Sequence, residues 1–215
     1  MGFRTNILNL NKDNQVEDFT FQLARKDLTH LGKLINVDRE SVHYVGNLNG
    51  ADELSLKVYK SIDGEVEPLW DEIVDLKVLY CIEAGEYFEI KVSLDDEING
   101  CKTLTCTSLC EAELSELIIY ETEINTDADI DRPDYEATTF YNEETPNASL
   151  LHRVLKDKAP HYKVKYVDDS LKKLQRSFSI NGTSIYEFLT GECAEQFNCV
   201  FVFNSPDRSI SVYDL

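Results

Sequence analysis

Six cysteines, Cys81, Cys101, Cys106, Cys110, Cys193 and Cys199, are the side chains best suited to hold a soft metal or to attack a carbonyl, and their spacing decides whether they do. No pair has the CxxC separation that places two thiolates on one tetrahedral ion. On a strand, Cys101 and Cys106 differ by an odd offset and face opposite sides, so this group reads as reduced, partly buried thiols and not as a zinc site. The histidines, His30, His43, His152 and His161, are isolated in sequence, with no HExxH or HxH pattern. No GxSxG elbow or Gly-rich phosphate loop accompanies them, so a nucleophile–base pair would have to assemble from distant positions. Asp127, Asp129 and Asp131 imitate positions 1, 3 and 5 of a calcium loop. The imitation fails at position 6, where Arg132 replaces the turn glycine, and at position 12, where Thr138 replaces the bidentate Glu. The sequons at Asn147-Ala148-Ser149 and Asn181-Gly182-Thr183 read as a helix cap and a turn. No catalytic, cofactor-binding or metal-ligating residue is assigned, and no cofactor is expected.

The elements that would position any such group must come from a chain of 215 residues with 42% hydrophobic and 28% charged side chains, a globular composition. Its net charge of −19 opposes a surface built to neutralise phosphates, which excludes sequence-specific nucleic-acid binding. No apolar run reaches the roughly 20 residues of a membrane span, and Met1 to Leu10 lacks the basic and apolar regions of a secretory signal. Asn6 stands where a myristoylation signal needs Ser or Thr.

Charge is uneven: residues 1–147 carry −20 and residues 148–215 carry +1. The stretch Thr126 to Asn147 is acidic, holds two prolines and lacks periodicity over most of its length. The expected organisation is a β-rich, barrel-like domain over residues 1–125, an acidic linker or long loop over 126–147, and an α+β domain over 148–215. The last is expected to be incomplete at its C-terminus, because the chain stops one residue after Asp214 with no polar tail.

In the first domain, Phe19, Phe21 and Leu23 alternate with polar residues as in a half-buried strand, followed by a turn at Gly32. Val42 to Leu48 and Glu53 to Lys60 flank Asn49-Gly50 and predict adjacent antiparallel strands, closed by a turn at SIDG. Pro68 opens PLWDEIVDL, where Leu69, Ile73 and Leu76 predict a short amphipathic helix. Val78 to Ile82 and Glu86 to Leu94 predict a hairpin, KTLTCTSL another strand, and EAELSEL a brief helix before IIYETEI. Such a meander makes a barrel or strongly curved sheet, whose edges need closure or assembly. In the second part, SLLHRVLKDKA predicts a helix behind an Asn147 or Ser149 cap, stopped by Pro160. HYKVKYV and LQRSFSI read as strands, SIYEFLTGECAEQF as a helix, and CVFVFN with SISVYDL as a hairpin around residues 205–208. The fold class is therefore α+β and strand-rich: a barrel-like domain with short helices plus an α+β domain.

Taken in order, FTFQLARKDLTHLGKLINV (Phe19 to Val37), NGADELSLKVYK, PLWDEIVDLKVLYCIEAGEYFEI, the long run from ASLLHRVL through RSFSINGTSIYEFL, and VFVFNSPDRSISVYDL resemble the N-terminal region of phage tail-associated proteins. These are the tail-tip or baseplate-hub proteins of siphophages and prophages, often grouped as prophage endopeptidase tail or minor structural proteins. The resemblance covers nearly the whole chain. It implies small barrel-like domains that associate as a homotrimer around the tail axis and join the tail tube to the tip while letting DNA pass. It implies distal tail and tail tube proteins as partners, and a place in the virion tail tip after assembly in the host cytoplasm. In such proteins lytic activity, where present, resembles a property of downstream modules, so no catalytic residue is carried over and no enzyme is expected here. Two other readings compete: a receptor- or carbohydrate-binding module with an aromatic platform of Tyr135, Phe140 or Tyr141, and a fragment of a cell-wall hydrolase.

Overall fold

Residues 34–36 decide the shape of the N-terminal half, because they join the two strands that lie at opposite ends of one sheet. In the computed structural model, residues 19–47 and 49–215 are described. Seven of the strands, β1 (Phe21–Ala24), β2 (His30–Lys33), β3 (Val37–Val45), β4 (Glu53–Tyr59), β7 (Val78–Cys81), β8 (Glu86–Asp96) and β9 (Cys101–Ser108), pair in the order β2-β1-β7-β8-β9-β4-β3. A small hairpin, β5 (Ser61–Ile62) and β6 (Glu65–Val66), follows β4. Laid flat, seven strands at about 4.8 Å spacing would separate β2 from β3 by about 29 Å. The four Cα steps from Lys33 to Val37 span at most about 15 Å. The sheet must therefore curl until its edges approach each other, which gives the barrel-like form expected from the sequence. The edges are not hydrogen-bonded to one another, so the curl is an open one with a seam.

Alternation fills the inside of this curl. Phe21, Leu23, Leu54, Leu56, Val58, Leu79, Phe88, Ile90, Leu104 and Cys106 are buried in one cluster, as period-2 patterning requires. The seam is held by a buried carboxylate. Glu67 is 1% exposed, and its Oε2 accepts from Ile35 N at 2.8 Å and Asn36 N at 3.0 Å. Its Oε1 accepts from Leu69 N at 3.2 Å. Asn36, also buried, donates through Nδ2 to Glu65 O and accepts at its carbonyl from Tyr59 N. The linking segment thus finds partners for backbone groups that no ladder satisfies.

Three local expectations change. Gly32 lies within β2, paired with Leu23, and the turn is at 25–29, where Leu28 takes a left-handed φ of 67°. Gly32 takes a φ of 158°, a conformation that L side chains rarely adopt, and a Cβ there would also lie 3.2 Å from Leu69 Cδ1. The helix after Pro68 shortens to a 3₁₀ turn at Trp70–Glu72. Lys102, buried, takes its terminal carbonyls by donating to Trp70 O and Ile73 O, at 3.0 and 2.9 Å. Leu76 then turns outward, its N–H bonded to Ile90 O at the edge of β8.

The second unit is built by itself around a phenylalanine-rich core of Phe140, Phe178, Phe188, Phe197, Phe201 and Phe203. Strand β10 (Ile118–Ile119) pairs with β14 (Thr183–Ser184), and β11 (Thr122–Ile124) pairs with β13 (Phe178–Ile180). A three-stranded sheet has the order β12 (Lys163–Val167), β16 (Ser209–Asp214), β15 (Cys199–Asn204), with β12 parallel to β16. Short helices lie between: α1 (Leu109–Ser115), α2 (Asp127–Ile130), α3 (Leu150–Leu155), α4 (Asp169–Lys172), α5 (Ile185–Phe188) and α6 (Ala194–Phe197). The single helix expected over SIYEFLTGECAEQF divides into α5 and α6 around Gly191, whose φ of −98° and ψ of −105° are not helical. Helix α5 starts at a capping box in which Ser184 Oγ accepts from Glu187 N, and Glu187 accepts from Ser184 N. The cap expected at Asn147 or Ser149 falls at Ser149, but its hydroxyl meets His152 and makes no bond to the helix backbone.

The division between units falls after Leu109, not after residue 125, and residues 49–50 count with the second unit. The stretch 126–147 is no free linker. Phe140 within it is fully buried, and Thr126 caps α2 by accepting from Asp129 N. With the division at Leu109 the charge splits evenly, −9 and −10, so the charge step at residue 147 marks the end of an acidic surface segment and not a domain border.

Replacing Glu67 by Ala should cost about 2–4 kcal/mol of unfolding free energy, because it strands buried N–H groups at the seam. Glu67→Gln, which keeps one carbonyl acceptor, should cost less. Urea unfolding with an unchanged m-value checks this; a neutral Glu67→Ala would show that the seam does not depend on the carboxylate.

Candidate functional site

All six cysteines, the first candidates for chemistry, are buried thiols outside any disulfide. Burial pushes the Cys81 thiol up to about 11 and Cys199 to about 12, and it drives Cys106 and Cys193 upward as well. A thiol held protonated away from solvent is neither a nucleophile nor a ready metal ligand. Among the described residues, no three His, Cys, Asp or Glu side chains gather as metal donors.

The histidines lead to separate places. His30 Nε2 meets Tyr87 Oη at 2.9 Å and sits edge-on to Tyr80. His43 is exposed on β3. His161 lies 3.8 Å from Glu113. His152 Nδ1 is 3.0 Å from Ser149 Oγ, a histidine–serine contact of catalytic length. Ser149 is fully buried at the start of α3, and its contact spans three residues of the same turn. Burial lowers the His152 pKa against a smaller upward pull from Glu143. The pair therefore reads as packing of α3, with Tyr141 stacked on the His152 ring at 5.2 Å.

The calcium-like aspartates resolve into an ion-pair anchor. Asp129, buried, accepts from Arg153 Nη1 at 3.1 Å, from Arg132 Nη1 at 3.3 Å and from Asn125 N at 2.9 Å. Arg153 goes on to Thr138 Oγ1 and Glu123 O. Burial works to raise the Asp129 carboxyl, but the Arg153 and Asn125 hydrogen bonds and the two guanidinium charges outweigh it and hold it below its ordinary range. Glu113 behaves alike: burial raises it, and the fork of Arg208 (2.8 and 3.0 Å) with the Tyr162 hydroxyl (2.8 Å) brings it down.

The aromatic platform proposed for Tyr135, Phe140 and Tyr141 does not form. Phe140 is core, Tyr135 donates to Asn125 Oδ1, and Tyr141 packs on His152.

What remains exposed is a strand end. Strand β7 accompanies β8 only as far as Glu89, while β8 runs on to Asp96. A bulge between Ile90 and Val92 resets the alternation, so that Ser93 and not Val92 opposes the buried Leu104. Val92 and Leu94 are thereby turned outward, Leu94 64% exposed, with Val74 and Leu76 exposed beside the Ile90 carbonyl. Asp75 Oδ1 partly covers the open edge by accepting from Ser93 N and Oγ, at 2.7 and 2.8 Å. Ile98, in the loop joining β8 to β9, is 96% exposed. The sequence signal for this surface was present in the VSL alternation of β8, but only the bulge shows which face it takes.

No family model matches the chain, and no curated protein matches it. Solved structures do. The prophage tail protein gp18 from Listeria monocytogenes EGD-e is 14% identical with a TM-score of 0.57, over 91% of this chain and 50% of that one. The tail protein from Neisseria meningitidis MC58 is 8% identical with a TM-score of 0.50, over 90% of this chain and 50% of that one. The chain thus has the fold of prophage tail proteins, strand-rich α+β, and spans about half the length of these two. No helix among the described residues is long and apolar enough to cross a membrane.

Burial and ion pairing have measurable consequences. In native protein near neutral pH a thiol reagent should modify essentially none of the cysteines, and all six after unfolding in denaturant; rapid native labelling of any one would contradict the burial. Asp129 and Glu113 have folded pKa values below the unfolded ones, so their stabilisation is complete above about pH 4–5 and is lost as pH falls through the depressed values. Urea unfolding followed from pH 6 to pH 2 should show this fall, and Asp129→Asn should lower stability at pH 6 while flattening the acid limb.

Proposed function

We propose that the chain is a structural phage tail protein, forming a homotrimeric hub at the tail tip that joins the tail tube to the distal tip and lets DNA pass. The observation that carries the reading is the likeness in fold to the Listeria prophage tail protein over 91% of the chain. Three properties of the chain support it. Its candidate nucleophiles are buried or serve packing. Among the described residues the first and last strands of its sheet each pair on one side only, and β8 outlasts β7, which is what a subunit completed by neighbours presents. Its acidity is shared by both units, and a ring lined by such units would repel passing DNA instead of holding it by salt-linked contacts. Distal tail and tail tube proteins are the partners this reading supplies, and the virion is its place of work. Any lytic activity belongs to modules outside this chain.

Light scattering behind a sizing column, over a range of protein and salt concentrations, should give the mass of three chains of 24.6 kDa at high protein concentration. A monomer under every condition, also in the presence of tail tube protein, would overturn the trimeric hub.

A further inference from the structure

Three asparagines of the chain are followed by glycine: Asn49-Gly50, Asn99-Gly100 and Asn181-Gly182. Such a pair suits a turn, and it also suits a reaction, because a residue without a side chain leaves its backbone nitrogen open to the asparagine Cγ. The glycine N–H gives its proton to solvent base and the nitrogen bonds to Cγ, closing a five-membered succinimide. The Cγ–Nδ2 bond breaks, and the leaving nitrogen takes a proton from water and departs as ammonia. A second water then opens the ring at either carbonyl, which leaves aspartate or, with the main chain routed through the side chain, isoaspartate. The first step needs an amide able to rotate over the next nitrogen and a nitrogen not committed elsewhere.

All three asparagines are exposed, so access to solvent does not separate them. Their hydrogen bonds do. Asn49 is gripped at both ends of its amide: Nδ2 donates to Thr190 O at 3.1 Å, and Oδ1 accepts from Phe201 N at 3.2 Å. Rotation there breaks two bonds to the backbone of two different segments. At Asn181 the nucleophile is the committed group, because Gly182 N donates to Ile119 O at 2.8 Å beside the β10–β14 pair.

Asn99, in the turn between β8 and β9, meets neither restraint. Among the described residues Gly100 N donates to no acceptor, although the Gly100 carbonyl is held by Lys60 N at 2.8 Å. The Asn99 amide is held through Nδ2 alone, by Asp96 Oδ2 at 2.7 Å, a side chain of the same turn that moves with it.

We propose that Asn99 is a site of spontaneous modification in the folded protein, converting through a succinimide with Gly100, and with water as co-reactant, to isoaspartate and aspartate, while the fold protects Asn49 and Asn181. The product adds a carboxylate to a turn that already carries Asp95, Asp96 and Glu97. Isoaspartate also lengthens the main chain between Asp96 and Cys101, the pair that closes the hairpin. The hairpin tip thus changes in charge and in shape as the protein ages, without an enzyme.

Peptide mapping by mass spectrometry tests this on the full chain, incubated at mildly alkaline pH both native and in denaturant. In denaturant all three asparagines should convert at similar rates. In native protein Asn99 should keep close to its unfolded rate, and Asn49 and Asn181 should each slow by about tenfold or more. The acidic species that ion exchange resolves from aged native protein should be absent from N99Q. Native conversion of Asn49 or Asn181 as fast as that of Asn99, an Asn99 slowed as much as the other two, or an unchanged acidic species from N99Q would each overturn the assignment.

Discussion

The N-terminal unit depends on one constraint, the three residues that connect the two edges of a seven-stranded sheet. A flat sheet cannot satisfy that connection, so curvature is imposed by chain length before any side chain is considered. The cost appears where the curl ends, because residues 34–36 leave the ladder with their backbone groups exposed to burial. Glu67 answers it by presenting two carboxylate oxygens to three N–H groups, and Asn36 ties the same segment to the β5–β6 hairpin. Hydrogen bonds to a charged acceptor are roughly twice as strong as neutral ones, which explains a buried Glu at a position where a hydrophobic residue would pack but satisfy nothing.

The second unit uses charge for a related purpose. Its long irregular stretch could not fold onto the body by secondary structure, since it has no periodicity to offer. Instead Phe140 inserts into the core while Asp129 and Arg153 join α2, β11 and the 138 region through one guanidinium. Asn125 does the same by amide chemistry, accepting from Thr138 N and donating to Thr138 O and Arg176 O. Acids that looked like solvated surface charge from composition are in part the bolts of a loop.

Much of the fold was legible from strand patterning: the strands at 21–24, 53–59, 101–108 and 209–214 alternate with period 2, and those at 78–81 and 199–204 are short apolar runs beside turn residues. The misreadings share a cause, a tertiary partner that local sequence does not name. Lys102 takes the carbonyls of the turn after Pro68 from a distant strand, Leu69 packs close against the glycine at position 32, and the aromatic core captured Phe140. The domain border was misplaced because net charge tracks surface and not contact: the acid-rich residues 126–147 fold with residues 148–215. The candidate surface was half legible. That some strand edge would be open followed from the strand count, but the outward turn of Val92 and Leu94 comes from a bulge, which adds one residue to the register and leaves no mark in composition.

Among the described residues, exposed aliphatics stand beside acids on a hairpin whose tip is ordered by Asp96, which accepts from Ile98 N and Asn99 N. An isolated monomer under selection for solubility alone would bury or replace Leu94 and Ile98, since open edges with apolar flanks invite uncontrolled pairing. Keeping them next to Asp95, Asp96 and Glu97 makes the surface conditional: it repels acidic neighbours, this chain's own −19 included.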